Sequence, residues 1–179
     1  STSGEVGWQS SNNFDVSLTI PADALAGSTA SFSMTATSTS SPSETASQTF
    51  EVAVDQHYGV SMAVVGWSET DITYTKEGAP GSNVTFSFNV TNTGNGQDNF
   101  DITVEGASLW SPMSSTPTLT LDAVSSGQFL VSVVVPTTMT AKSNSGDIIV
   151  TITSSDNENT VNLTIEVIAL QVFDISIDY

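Results

Sequence analysis

Three features of the sequence predict an all-β chain of antiparallel sandwiches set in tandem. Apolar and polar residues alternate with period two, clusters of turn-forming residues separate the alternating runs, and the pattern recurs at a separation of 115 residues. Period-two alternation places successive side chains on opposite faces of a strand, while helical periodicity is scarcely visible.

In chain order, the runs begin with Phe14-Asp15-Val16-Ser17-Leu18-Thr19-Ile20, followed by Phe32, Met34 and Ala36, and by Thr49-Phe50-Glu51-Val52. After a short apolar run at residues 60–65 comes the clearest case: Val84, Phe86, Phe88 and Val90 on one face, Thr85, Ser87, Asn89 and Thr91 on the other. Phe100, Ile102 and Val104 alternate with Asp101 and Thr103, and Leu119 and Leu121 follow. The last three runs are Phe129, Val131, Val133 and Val135; Ile148, Val150 and Ile152; and Val161, Leu163, Ile165 and Val167. Val, Ile, Phe and Thr dominate, as a pleated half-buried surface favours. Turns punctuate them at Ala79-Pro80-Gly81, Asn92-Thr93-Gly94-Asn95-Gly96, Ser125-Ser126-Gly127, Asn144-Ser145-Gly146 and Asp156-Asn157-Glu158-Asn159. Short strands bounded by such turns read as an antiparallel sandwich.

The repeat divides the chain. Residues 14–21 align with 129–136, Ser10-Ser11 with Ser125-Ser126, and Thr49-Phe50-Glu51-Val52 with Thr164-Ile165-Glu166-Val167. The Phe32-Met34-Ala36 run fits Ile148-Val150-Ile152 only at 116. A slip of one residue reverses the faces of a strand, so a compensating loop insertion is required. Residues 1–57 are thus the second half of a sandwich repeat, 58–169 a complete one, and 170–179 the first strand of another. The short boundary at Asp55-Gln56-His57 predicts end-to-end packing rather than a flexible linker. A half-sandwich leaves open edges and an uncovered apolar face. It therefore needs strands from upstream or from another chain, and the spare strand at 173–179 could serve a neighbouring subunit in a filament.

At Ala79-Pro80-Gly81-Ser82-Asn83-Val84-Thr85-Phe86 and Val90-Thr91-Asn92-Thr93-Gly94-Asn95-Gly96 the chain resembles the CARDB-like and NEW3-like immunoglobulin-fold modules of bacterial and archaeal surface proteins. Ser126-Gly127-Gln128-Phe129, Val134-Val135-Pro136 and Trp110 extend the likeness across roughly residues 72–168. The resemblance implies seven-stranded immunoglobulin-like sandwiches serving as stalks, spacers or adhesive modules. The usual turn after the Val-Pro strand is replaced by Ala141-Lys142-Ser143.

Composition narrows the function. Two basic residues, Lys76 and Lys142, stand against 19 acidic ones, giving a net charge of -17. Nucleic-acid binding needs a basic patch that this chain lacks, and an anionic membrane surface would repel it. No apolar run approaches the ~18 residues of a membrane span, so no membrane insertion is expected within this segment. Without cysteine there is no disulfide framework. An extracellular, cell-surface setting is expected, with neighbouring repeats of the same or identical chains as partners. Three sequons, at Asn83, Asn89 and Asn162, offer glycan attachment.

No catalytic residues and no cofactor are expected. His57, the one histidine, lies near Asp55, but serines are so abundant that a Ser-His-Asp set carries little meaning. Calcium is the one metal candidate, through Asp98 and Asp101 at a strand start and Asp156 and Glu158 in an acidic turn. Asx residues also serve turns by local hydrogen bonding. A second calcium site could stiffen the junction through Asp55, Glu69, Asp71 and Asp174. Exposed rings of Trp8, Trp67 and Trp110 would suit sugar stacking; buried ones would suit the core. The function expected is that of a non-catalytic structural module, with a carbohydrate- or ligand-binding adhesive module as the alternative.

Overall fold

A computed structural model describes residues 6–67 and 73–173. Glu69, Asp71, Asp174 and most of the expected closing strand lie outside the described residues. Two units follow one another: a hairpin unit at the N-terminal side, and a complete sandwich.

The sandwich has two sheets. The four-stranded sheet runs in the order β3-β5-β9-β7, built from β3 (Val60–Val64), β5 (Asn83–Asn92), β9 (Ser126–Val134) and β7 (Met113–Ser114). The five-stranded sheet runs β4-β11-β10-β6-β8, from β4 (Thr73–Gly78), β11 (Thr160–Ala169), β10 (Ile148–Ser154), β6 (Asp98–Glu105) and β8 (Thr118–Leu121). All pairings are antiparallel except β4 on β11, which is parallel. The fold is an all-β sandwich, as the alternation predicts, and immunoglobulin-like, as the resemblance implies.

The two inner faces are the predicted ones. Phe86, Phe88 and Val90 of β5 meet Val131 and Val133 of β9 and Ile148, Val150 and Ile152 of β10, all fully buried. Phe88 and Phe129 sit opposite one another in the β5–β9 register and stack at 5.0 Å. Trp110 is buried too. A short 3-10 turn at Ser108–Trp110, flanked by Ala107 and Ser111 in left-handed conformation, swings its indole into the core. Lys76 ties the sheets at their edge: its Nζ donates to the Thr85 carbonyl at 2.7 Å and lies 4.9 Å from the Phe86 ring centre. That bond caps a β5 carbonyl beyond the reach of β3, whose pairing ends at Phe88.

The hairpin unit contains β1 (Thr29–Thr37) and β2 (Thr45–Ala53), paired antiparallel. Its register repeats that of β10 and β11. Phe32 faces Phe50 as Ile148 faces Ile165, and Thr29 faces Ala53 as Asn144 faces Ile168. The one-residue slip resolves into two loops. Between Ser143 and Ile148 the sandwich has one residue more than the hairpin unit has between Ser28 and Phe32, and Gly146 in left-handed conformation helps to accommodate it. The hairpin turn restores the count: Ser38 N–H donates to Glu44 O, where its counterpart Ser154 N–H reaches Asn159 O one residue sooner.

Residues 14–20 differ from their counterparts in β9. They form no strand, and Phe14, Val16, Leu18 and Ile20 remain about half exposed (53, 53, 52 and 49%). Phe14 and Val16 line a cavity of about 560 Å³ whose other wall is Met34, Ala36 and Ala46 of the hairpin. Among the described residues an inner face is present here without strands that close it.

Candidate interface between the two units

The units meet through the loop at Asn92-Thr93-Gly94-Asn95-Gly96-Gln97, and two asparagines organise it. Asn92 continues the inward face of β5 and is fully buried. Its Nδ2 donates to the carbonyls of Gly96 (2.8 Å), Leu121 (3.1 Å) and Asp122 (3.1 Å), and its Oδ1 accepts from Gly94 N–H (2.8 Å). One amide thereby shapes the loop and fastens it to the β8–β9 turn. A buried amide earns its place only when its polar atoms are paired, as these are.

Asn95 faces the hairpin unit. Its Oδ1 accepts the His57 N–H at 2.7 Å, and its Nδ2 donates to Asp55 O at 3.1 Å and Ala24 O at 3.2 Å. Its backbone joins in: Asn95 N–H donates to His57 O, and Ala26 N–H to Asn95 O at 2.9 Å. Gln56 Nε2 adds a bond to Gln97 O at 2.9 Å. The close fit depends on glycine, since a Cβ on Gly94 would run into His57 O and one on Gly96 would press on Ala26 and Gln56. His57 therefore acts here through its backbone, with its side chain exposed. Among the described residues the hydrogen-bonding groups that link the units are uncharged, so salt should affect this contact little.

The candidate calcium ligands are distributed differently from the sequence expectation. Asp98 and Asp101, expected to cluster, fall on opposite faces of β6, because three residues apart on a strand means opposite parity. Asp98 is buried beside the β10–β11 turn, where its carboxylate accepts from Ser154 Oγ (2.6 Å), Ser155 Oγ (2.5 Å), Ser155 N–H (3.2 Å) and Asn99 N–H (2.8 Å). Asp101 lies outside, between Thr118 and Thr153 in the ladder. Asp156 closes its own turn, accepting from the N–H groups of Glu158 and Asn159, both at 3.0 Å, and from Asn159 Nδ2. The Asn159 N–H bond, helped by the Asn159 amide and Glu158 N–H and opposed by desolvation, holds the Asp156 carboxyl below its ordinary value of 3.8. Glu158 is exposed at the turn. Among the described residues no three His, Cys, Asp or Glu side chains gather as metal ligands do.

Of the sequons, Asn83 and Asn162 are exposed and Asn89 is half-buried on the outer face of β5, between Ala63 and Gln128. Trp8 is 90% exposed, Trp67 37% and Trp110 3%. Trp67 packs edge-on against Tyr74 at 5.6 Å, so the three indoles form no common platform. No helix among the described residues is long and apolar enough to cross a membrane.

Comparison with known proteins follows the sandwich. The sequence profile of the VWA7 Ig-like domain matches residues 69–174. The likeness to CARDB-like and NEW3-like modules holds at the coarser level of an immunoglobulin-like fold. No curated protein matches the chain. Among solved structures, a family 123 glycoside hydrolase from Clostridium perfringens aligns with a TM-score of 0.50 and 7% identity, over 64% of this chain and 27% of the enzyme. The human CEP192 PapD-like domain 7 gives 0.47 and 9%, over 64% and 87%. Surface layer protein SbsC, domains 1-6, gives 0.40 and 18%, over 82% and 17%.

Proposed function

Because the chain belongs to the VWA7 Ig-like domain family, we propose that it is a non-catalytic structural module, a stalk or spacer unit of an extracellular cell-surface protein. The observation that carries this reading is the junction: the hairpin unit and the sandwich are joined without a free linker, through a loop whose polar groups are used on both sides. A unit that fixes its neighbour's position transmits distance and direction, which is what a spacer requires. The acidic, lysine-poor surface supports the extracellular setting, since mutual repulsion keeps extended chains apart. Asn83 and Asn162, both exposed, are the sequons best placed to carry glycans.

The carbohydrate-binding alternative is less well supported, because it needs several exposed aromatic rings on one face and Trp110 belongs to the core. Light scattering of the purified chain, with and without millimolar calcium, tests the spacer reading. A monodisperse species of unchanged size in both conditions is expected. Calcium-driven growth into long oligomers would replace the spacer with a self-assembling subunit and make the acidic turns its ligands.

A further inference from the structure

The surface that receives Asn95 exists twice in this chain, and only one copy is occupied among the described residues. In the hairpin unit it is built by four backbone hydrogen bonds: Ala24 N–H to Pro21 O, Ser28 N–H to Leu25 O, Gly27 N–H to Val54 O, and Val54 N–H to Ser28 O. At the far end of the sandwich the same four recur 115 residues on. Met139 N–H donates to Pro136 O, Ser143 N–H to Thr140 O, Lys142 N–H to Ala169 O, and Ala169 N–H to Ser143 O. The lengths agree within 0.1 Å in every pair. Even the left-handed residue is kept, with φ 77° at Gly27 and 67° at Lys142. A lysine tolerates that conformation at a cost, so the loop shape is imposed by its surroundings.

The groups that Asn95 engages have direct counterparts. Ala26 N–H corresponds to that of Ala141, Ala24 O to Met139 O, Asp55 O to Leu170 O, and the His57 backbone to that of Val172. Ala141 is alanine like Ala26, leaving the same room for a glycine beside it. Ala141, Leu170 and Val172 are exposed, and among the described residues nothing accepts from the Ala141 N–H. Lys142, one of two cations in the chain, stands on this surface, and a repeat as acidic as this one is its electrostatic complement.

We infer that residues 139–142 and 170–172 form a docking seat for a further repeat of the same fold, which presents an Asn-Gly loop equivalent to Asn95-Gly96. The sequence at Phe173-Asp174-Ile175-Ser176-Ile177 matches Tyr58-Gly59-Val60-Ser61-Met62, which places the start of such a repeat in the register of the first junction. The inference rests on the reading of the chain as a structural module and adds its partner: another repeat, held at a fixed angle by an uncharged clasp.

The test is a full chain extended after Val172 by a second copy of residues 58–173, with hydrogen exchange followed at single amides. Protection of Ala26 in both chains serves as the internal reference. The Ala141 amide should exchange at least about tenfold more slowly in the extended chain than in the original. Asn95→Ala in the appended copy alone removes the three side-chain bonds and keeps the carbonyl, so it should speed exchange at Ala141 and leave Ala26 protected. Equal Ala141 rates in the extended and original chains, with Ala26 protected and the appended sandwich folded by its own strand amides, would overturn the seat. That result would leave the spacer reading intact with a flexible second joint, whereas calcium-driven assembly would sink the spacer reading without altering exchange at Ala141.

Discussion

Corresponding alternating heptapeptides occur at residues 14–20 and 129–135, with apolar residues at the same four positions, and the two have opposite fates. Phe129, Val131, Val133 and Val135 are at most 2% exposed, while Phe14, Val16, Leu18 and Ile20 are about half exposed. The inward apolar positions are alike in both, although Asp15 and Thr19 stand where Leu130 and Val134 do, and the larger difference lies in what stands alongside. β9 is paired over nine residues with β5, whereas residues 14–20 have no such neighbour among the described residues. The hairpin, by contrast, keeps its register in both copies, because each of its strands supplies the other's partner. A hairpin is a local structure; a central strand is borrowed from the rest of the sheet.

The sharpest way to break this comparison is to make the same change in each copy. Phe129→Ala should cost about 3–5 kcal/mol of sandwich stability in urea unfolding, as for a large side chain removed from a filled core. Phe14→Ala should change it by less than about 0.5 kcal/mol. Comparable costs would mean that residues 14–20 are packed in solution as β9 is. Next in size is Asn92→Ala, expected to destabilise the sandwich by about 3 kcal/mol, because the carbonyls of Leu121, Asp122 and Gly96 lose a common donor in a buried site. A near-neutral result would show that water replaces the amide.

Asn95→Ala should loosen the contact between the two units while moving the sandwich midpoint by about 1 kcal/mol or less. Faster amide exchange at His57 and Ala26, with β5 and β9 unchanged, is the expected signature. Smallest is the acid response of the β10–β11 turn. The Asp156 carboxyl is held below 3.8 in the folded chain, so its contribution is fully present above the ordinary carboxylate range and is lost as pH falls through the lowered value. The Asn159 amide shift should record that step in NMR titration, and Asp156→Asn should abolish it.

Much of this was legible from residue parity. Every inward position read between Val84 and Val167 is buried or half-buried, because a pleat converts spacing directly into facing. Parity also held signals that reading by residue type passes over. Asn92 shares the inward parity of Val84, Phe86, Phe88 and Val90, and Asp98 that of Phe100 and Ile102, which marks both as buried polar groups needing partners. A turn-like Asn-Thr-Gly-Asn-Gly and an acidic Asp98-Asn99-Asp101 cluster were the more obvious readings, and they conceal these roles. The bonds from Asn95 to Ala24 and Asp55 span 71 and 40 residues, a distance no local pattern encodes. Whether residues 14–20 form a strand depends likewise on a partner elsewhere.

The parallel pairing of β4 with β11 has a mechanical consequence. Six residues from Thr73 to Gly78 lie beside Thr164 to Ala169, the last strand before the chain leaves the sandwich, while β3 precedes β4 at its entry. Once β3 has come away from β5, pulling the chain ahead of β4 and the chain after β11 in opposite directions drives these two strands past one another along their length. The ladder is then loaded in shear, and its hydrogen bonds must give way together, whereas an antiparallel pair pulled at one end opens one rung at a time. Resistance to tension thus follows from strand direction alone, before any contribution from side chains.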